Sequence, residues 1–138
     1  MRICYLSNAA IPSSVASSIQ IVKMCEAFSK LNNEVFLITI NDSISKVNFK
    51  NYYNVKTKFT LKKIERFTKF PLGFNYYLFS FISILESFKY KPEIYITRNF
   101  FTCFLLVMFR KKIIMELHHD LNIESRMVRF LVKKIKFL

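Results

Sequence analysis

The sequence has very little glycine and no tryptophan. Its 138 residues include one Gly and three Pro, beside 16 Phe and 7 Tyr. So little glycine argues against long loops and against phosphate-binding loops built from glycine. The glycine-rich dinucleotide fingerprint is absent, which sets aside NAD and FAD, and no cofactor is predicted. Because 52% of the residues are hydrophobic, the sequence indicates one folded domain of ordinary size rather than a disordered chain.

Acidic residues are also few. Nine Asp and Glu stand against 22 Lys and Arg, which gives a net charge of +13. The basic residues are concentrated in residues 46–91 and 110–136. Such charge is found on solvated helix faces, and also on proteins that meet an anionic membrane, a phosphorylated ligand or nucleic acid.

Long apolar runs are missing as well. The longest uncharged run, residues 70–85, is interrupted by Pro71 and Gly73 and is short for a bilayer span. We therefore expect a cytoplasmic protein that is at most peripheral to the inner face of a membrane.

Metal-binding residues are scarce. Cys4, Cys25 and Cys103 are odd in number, widely separated and in apolar surroundings, which predicts reduced core thiols rather than disulfides. His118 and His119 are the only histidines, and they lack the spacing of a zinc site. No metal is predicted.

What the sequence does contain is a βαβ pattern in its first forty residues. Residues 2–6 and 35–40 are apolar runs without polar alternation, typical of strands covered on both faces. Residues 15–31 between them repeat apolar side chains at spacings of three and four, which predicts a helix. The side chains expected to share its buried face are Ser17, Ile21, Met24, Cys25, Phe28 and Leu31.

The alternation of strands and helices continues to the end of the chain. We predict a half-exposed third strand and two buried strands, each followed by a helix: strand 55–61, helix 72–88, strand 93–97, helix 100–109, strand 112–117 and helix 122–137. This pattern predicts an α/β fold, a Rossmann-like three-layer domain with a mostly parallel sheet. The expected strand order is third, second, first, fourth, fifth.

Such sheets bind ligands at the carboxyl ends of their strands. Ser13 and Ser14 follow the first strand, where they can cap the first helix or form an anion site with its N-terminus. Arg98 and Glu116 end the fourth and fifth strands, and each can contact a ligand or pair with the other. His118 lies on the same side as Glu116 if the strand continues regularly, which makes it a candidate catalytic residue.

Several segments resemble, in their order and spacing, the N-terminal domain of family-4 glycosyltransferases. Ile94-Tyr95-Ile96-Thr97-Arg98 is similar to a strand that leads to an arginine, and Met115-Glu116-Leu117-His118 is similar to a strand that ends in E-x-H. The other matching segments are residues 2–7, 12–14, 21–28 and 31–35. The resemblance implies a retaining enzyme of the GT-B fold that needs no metal, with its active site between two Rossmann-like domains.

The resemblance also implies roles for individual residues. His118 matches a histidine that contacts the transferred sugar, so it is the expected catalytic residue. Arg98 and Glu116 are the expected substrate-binding residues, together with Ser13 and Ser14, although the corresponding loop of the family often approaches the donor phosphate through glycines. Residues 1–138 would be the acceptor-side domain, with the donor domain absent.

Two functions follow as expectations. The first is the N-terminal half of an enzyme of cell-envelope glycan or glycolipid synthesis, inactive alone as a truncated or split chain. It would take a glycan or lipid-linked acceptor, and a nucleotide-sugar donor only with a second domain. The alternative is a non-catalytic basic module that binds anionic membrane or nucleic acid, of which nucleic acid is less favoured because no motif supports it.

Overall fold

The computed structural model describes residues 1–41, 48–65 and 72–117. Strands and helices alternate along the chain, as the apolar runs and helical periodicity require. The elements are β1 (Arg2–Ala10), α1 (Ala16–Lys30), β2 (Glu34–Asn41), α2 (Phe49–Tyr52), β3 (Thr60–Glu65), α3 (Leu72–Ser87), a 3₁₀-helix (Phe88–Tyr90), β4 (Ile94–Thr97), α4 (Phe100–Met108) and β5 (Ile113–Met115).

The strands form one five-stranded sheet in the order β3-β2-β1-β4-β5. All four neighbouring pairs are parallel. β1 lies in the middle, where Tyr5 is opposite Leu37 of β2 on one side and Ile96 of β4 on the other. The predicted α/β fold class and strand order are therefore confirmed.

Helices cover both faces of this sheet, so the domain has three layers. Side chains of β1 alternate between the two faces: Ile3 and Tyr5 belong to the core under α1, whereas Cys4 and Leu6 belong to the core under α3 and α4. Burial on both faces explains why β1 reads as a continuous apolar run in the sequence.

The third strand begins later than predicted. Residues 55–59 do not pair with β2; the ladder starts where Thr60 lies opposite Phe36. Val55 and Phe59 instead pack against the core under α1. The alternation of apolar and polar residues thus arises because a connecting segment is partly buried. The predicted strand 55–61 is wrong in its position, since β3 begins at Thr60.

The buried face of α1 also differs from the predicted one. Its buried residues are Ser18, Ile21, Val22, Cys25 and Glu26. Leu31, expected in the core, caps the end of α1 and is 72% exposed. Ile21 and Cys25 are buried as predicted, and Met24 and Phe28 pack against the core, whereas Ser18, Val22 and Glu26 were not predicted to be buried. The rotation of α1 about its axis depends on how it packs on β1 and β2, which a spacing pattern does not contain.

The predicted final helix, residues 122–137, lies outside the described residues. Within residues 1–41, 48–65 and 72–117, no helix is both long and apolar enough to cross a bilayer.

Candidate functional site

Polar side chains gather at the carboxyl ends of β4 and β5, next to the interior of β1. The Arg98 guanidinium donates through Nη2 to Oε1 of Glu116 at 2.7 Å. The Tyr5 hydroxyl donates to Oε2 of the same carboxylate at 2.6 Å, and the Gln20 amide lies 3.3 Å from Oε1. We call these four residues the edge cluster. They come from the ends of β4 and β5, from the interior of β1 and from α1, so only the folded chain brings them together.

Strand register explains why the edge cluster forms. Ile96 lies opposite Ile114, and Arg98 and Glu116 each follow two residues later. Because side chains two residues apart point to the same face of a strand, both reach the face that α1 covers. Tyr5 points to that face from the neighbouring strand, opposite Ile96. Two of the predicted site residues, Arg98 and Glu116, are thereby confirmed as neighbours.

Burial and hydrogen bonding fix the protonation states of the donors. Burial raises the pKa of the Tyr5 hydroxyl, and the hydrogen bond to Glu116 raises it further, so Tyr5 stays a neutral donor. Burial by itself would lower the pKa of Arg98, but the hydrogen bond to Glu116 and the nearby Tyr5 outweigh it and the pKa is raised. Arg98 therefore keeps its positive charge at any pH at which the protein is folded.

The arrangement suits binding better than nucleophilic attack. Both oxygens of the Glu116 carboxylate accept hydrogen bonds, which orients the carboxylate and lowers its reactivity. The Nε–H of Arg98 is buried and has no hydrogen-bond partner within the described part of the chain. The edge cluster thus combines an oriented carboxylate with a cationic side chain whose Nε–H has no described acceptor. This combination fits recognition of hydroxyl or phosphate oxygens.

Ser13 and Ser14 lie in the turn before α1, but they do not cap it. The N-cap residue is Val15, and no side chain caps this helix. The hydroxyl of Ser13 accepts from the Val15 backbone N–H at 3.2 Å instead, so it stabilises the turn. The prediction that Ser13 or Ser14 caps α1 is wrong for this reason.

Tyr53 holds the same turn in place. Its hydroxyl accepts from the Ser13 backbone N–H at 2.6 Å and donates to the Ser13 carbonyl at 2.7 Å. The backbone amide of Ser13 is therefore already satisfied, while Ser14 is exposed. Binding of a donor phosphate by Ser13 and Ser14 stays a prediction.

His118, the expected catalytic residue, lies outside the described residues, which end at Leu117. Its position relative to Glu116 and Arg98 stays a prediction based on strand alternation.

Two members of the edge cluster, Tyr5 and Gln20, are not among the predicted site residues. A tyrosine hydroxyl inside a fully buried strand needs a hydrogen-bond partner, and this signal could have identified Tyr5. Gln20 is an exposed residue of α1, and no motif marks it. Its contact with Glu116 depends on where β5 ends relative to α1, which local sequence does not show.

The three cysteines are free and buried, which confirms the predicted core thiols. Burial raises the pKa of each thiol, that of Cys103 to about 11. In residues 1–41, 48–65 and 72–117, no group of three or more His, Cys, Asp and Glu side chains is placed to hold a metal ion.

Comparison of the chain with known protein families, curated proteins and solved structures finds no match. Functional inference therefore depends on the fold, on the edge cluster and on the motifs of the sequence.

Proposed function

We propose that this chain is the N-terminal, acceptor-side domain of a retaining, nucleotide-sugar-dependent glycosyltransferase of the GT-B fold. The reaction class would belong to cell-envelope glycan or glycolipid synthesis. The observation that carries the proposal is the edge cluster: Arg98 and Glu116, from the two motifs that resemble the family, lie 2.7 Å apart at the carboxyl edge of a parallel sheet. Ligands of α/β sheets bind at this edge.

In this proposal the edge cluster binds and orients the substrate. Glu116, held by Tyr5 and Arg98, presents oriented carboxylate oxygens to sugar hydroxyls. Arg98 contributes fixed positive charge and a free Nε–H donor for a phosphate or hydroxyl oxygen. His118 is proposed as the catalytic residue that contacts the transferred sugar, and Ser13 and Ser14 as contacts of the donor side.

Turnover is proposed to require a second domain. The described residues build a single sheet, whereas the GT-B reaction takes place between two Rossmann-like domains. The nucleotide-sugar would bind mainly to the second domain, and the glycan or lipid-linked acceptor to this one. Purified chain alone is expected to transfer no sugar from common nucleotide-sugars.

The experiment that tests the proposal restores a second GT-B domain by fusion or co-expression and measures sugar transfer. His118→Ala is expected to lower turnover strongly, while His119→Ala is the matched control and should change it little. The free energy of unfolding of both variants should lie within about 1 kcal/mol of that of the parent protein. Equal activity of the two variants, or robust transfer by the unfused chain, would contradict the proposal.

A second function, binding to an anionic membrane surface, is favoured by the outward face of α3. Phe74, Tyr77, Phe81 and Leu85 form an apolar stripe on this helix, and each is between 39% and 50% exposed. Exposed apolar patches of this kind mark interaction surfaces, and a chain with a net charge of +13 is attracted to anionic lipids. We propose a cytoplasmic protein that lies peripherally on the inner face of a membrane; nucleic acid remains the less favoured partner.

The inward face of α3 strengthens the assignment of the stripe to the surface. Ser80, Ser83 and Ser87 are completely buried against the rest of the domain. The hydroxyls of Ser83 and Ser87 donate hydrogen bonds to backbone carbonyls of their own helix. α3 thus buries small polar residues together with Phe79 and Ile84, while the four large apolar side chains of the stripe stay on its outward face.

A further inference from the structure

A concave site lies at the amino edge of the sheet, opposite the edge cluster. It is a pocket of about 360 Å³ lined by Phe88, Lys91, Pro92, Tyr95, Phe109 and Lys111. One wall is formed by Phe88 of the 3₁₀-helix and by Lys91 and Pro92, which precede β4. The other is formed by Phe109 and Lys111, which follow α4. The volume is at the lower end of the range for small-molecule sites.

The charges around this pocket are of one sign. Lys91 and Lys111 line it, and no acidic residue does so in the part of the chain that the structure describes. Neither lysine forms an ion pair with a described carboxylate. The Lys111 ammonium lies 5.2 Å from the centre of the Phe88 ring, so its present partner is an aromatic face rather than an anion.

Aromatic rings form the apolar part of the wall. Phe88 and Phe109 meet edge to face, with ring centres 5.7 Å apart. Tyr95 is buried, with its hydroxyl next to Ser87, whereas Phe109 is 45% exposed. Phe109 thus adds an exposed apolar ring to a pocket that two lysines also line.

The backbone places both lysines here at some conformational cost. Lys91 adopts a left-handed conformation, with φ 46° and ψ 54°, directly before Pro92. Residues with side chains seldom adopt this conformation, and a following proline disfavours helical backbone further. Arg110, directly before Lys111, is also left-handed, with φ 52°. Glycine is the usual residue at left-handed helix ends, so Lys91 and Arg110 occupy positions whose backbone conformation ordinarily favours glycine.

We propose that this pocket binds a small organic anion that carries a planar apolar body, such as an aromatic phosphate. The anionic group would lie between the Lys91 and Lys111 ammonium groups, and the planar part would pack on Phe109 and Pro92. The anion would compete with the Phe88 ring for Lys111. This proposal is independent of the glycosyltransferase assignment.

The test uses 1-naphthyl phosphate as the probe for the full chain, with binding followed through backbone amide signals in NMR titrations. Backbone amide signals of residues 88–91 and 109–112 are expected to shift, and their shifts should fit a single dissociation constant. Lys111→Gln should weaken binding about tenfold, as expected for the loss of one charge-assisted hydrogen bond. Lys112→Gln removes the same charge from the adjacent residue, which does not line the pocket, and should weaken binding less than about twofold.

Two further ligands test the two parts of the proposal. Uncharged 1-naphthol should bind far more weakly than 1-naphthyl phosphate, and so should inorganic phosphate, which lacks the planar body. Equal losses in Lys111→Gln and Lys112→Gln would overturn the proposal, because they would indicate nonspecific attraction to a basic surface. Shifts confined to other residues, or inorganic phosphate binding as tightly as the aromatic phosphate, would overturn it as well.

Discussion

Arg98 and Glu116 are held as a hydrogen-bonded ion pair across the ends of two neighbouring strands, with Nη2 2.7 Å from Oε1. Their side chains are 14% and 18% exposed, so water screens the pair only in part. This relationship joins the two motifs that the sequence analysis had selected separately. It also couples any ligand role of one residue to the other, because a change at Arg98 removes one of the donors to Glu116, and a change at Glu116 alters the described acceptor of the Arg98 guanidinium.

We expect Arg98→Ala and Glu116→Gln each to lower the free energy of unfolding by about 1–3 kcal/mol, since each removes one charge from a partly buried, hydrogen-bonded ion pair. The double variant should lose less than the sum, with a coupling of about 0.5–3 kcal/mol in urea unfolding. Tyr5→Phe removes only a hydroxyl and should cost about 1 kcal/mol. Strictly additive losses would show that the two residues act independently.

Ser80 links α3 to α4 and should be far less replaceable than Ser83. Its hydroxyl accepts from the Asn99 amide at 3.1 Å and from the Thr102 hydroxyl at 2.9 Å. Ser80→Ala leaves both buried donors unsatisfied, and we expect a loss of about 1–3 kcal/mol in urea unfolding. Ser83, equally buried, donates only to the carbonyl of Ser80 in its own helix, so Ser83→Ala should change stability by less than about 0.5 kcal/mol. Similar losses in both variants would count against the link.

Glu26 should make stability depend on pH. Its buried carboxylate accepts from the Lys56 backbone N–H at 2.9 Å and from the Lys23 ammonium at 3.0 Å, and these contacts lower its pKa below the ordinary value of 4.5. A carboxylate with a lowered pKa in the folded state stabilises the protein above its unfolded-state pKa. This contribution is lost as the pH falls through the folded-state pKa.

Glu26→Gln should therefore be less stable than the parent chain at neutral pH, and the difference should shrink as the pH falls below about 4.5. Urea unfolding between neutral pH and about pH 3 measures this difference. Glu34→Gln, at an exposed glutamate, is the control and should show no comparable trend. A difference between Glu26→Gln and parent that stays constant with pH would refute the role of the carboxylate charge.

The apolar stripe on α3 should contribute to membrane binding without contributing to folding. Phe81 is 49% exposed, and Phe81→Ser is expected to weaken binding to vesicles that contain an anionic phospholipid by about tenfold. Its free energy of unfolding should change by less than about 0.5 kcal/mol. Binding should also weaken as salt is added, because exposed charges are screened over about 8 Å at physiological ionic strength.

Leu31→Ser is the control for this experiment, because Leu31 is more exposed than Phe81 but lies at the end of α1. It should leave vesicle binding nearly unchanged. Equal losses in the two variants, or equally strong binding to uncharged vesicles, would count against a membrane-facing stripe with an electrostatic component.

The fold class could be predicted because its determinants are local. Uninterrupted apolar runs such as residues 2–6 and 35–40 indicate strands buried on both faces, and parallel βαβ connections have one hand. Alternating strands and helices then favour a doubly wound parallel sheet, and the strand order follows from that topology. The observed order β3-β2-β1-β4-β5 agrees with it.

Element positions and faces were less predictable. The apolar alternation that suggested strand 55–61 arises from a connecting segment pinned by the hydrogen bond between Lys56 and Glu26. A buried loop and a half-buried strand both alternate, and only pairing with β2 distinguishes them. The burial of Glu26 could not be predicted, because nothing near it in the sequence indicates that the backbone N–H of Lys56, thirty residues later, donates to its carboxylate.

In the candidate site, too, some features could be predicted from local sequence and others depended on tertiary packing. The sequence by itself determined that Arg98 and Glu116 end buried strands, and hence that they lie at the ligand-binding edge of a parallel sheet. Only the tertiary structure decided that they pair with each other and that Tyr5 and Gln20 share the carboxylate. Strand ends can be read from local apolar patterns, whereas hydrogen-bond partners depend on register and helix rotation, which are set by packing between segments up to 111 residues apart in the chain.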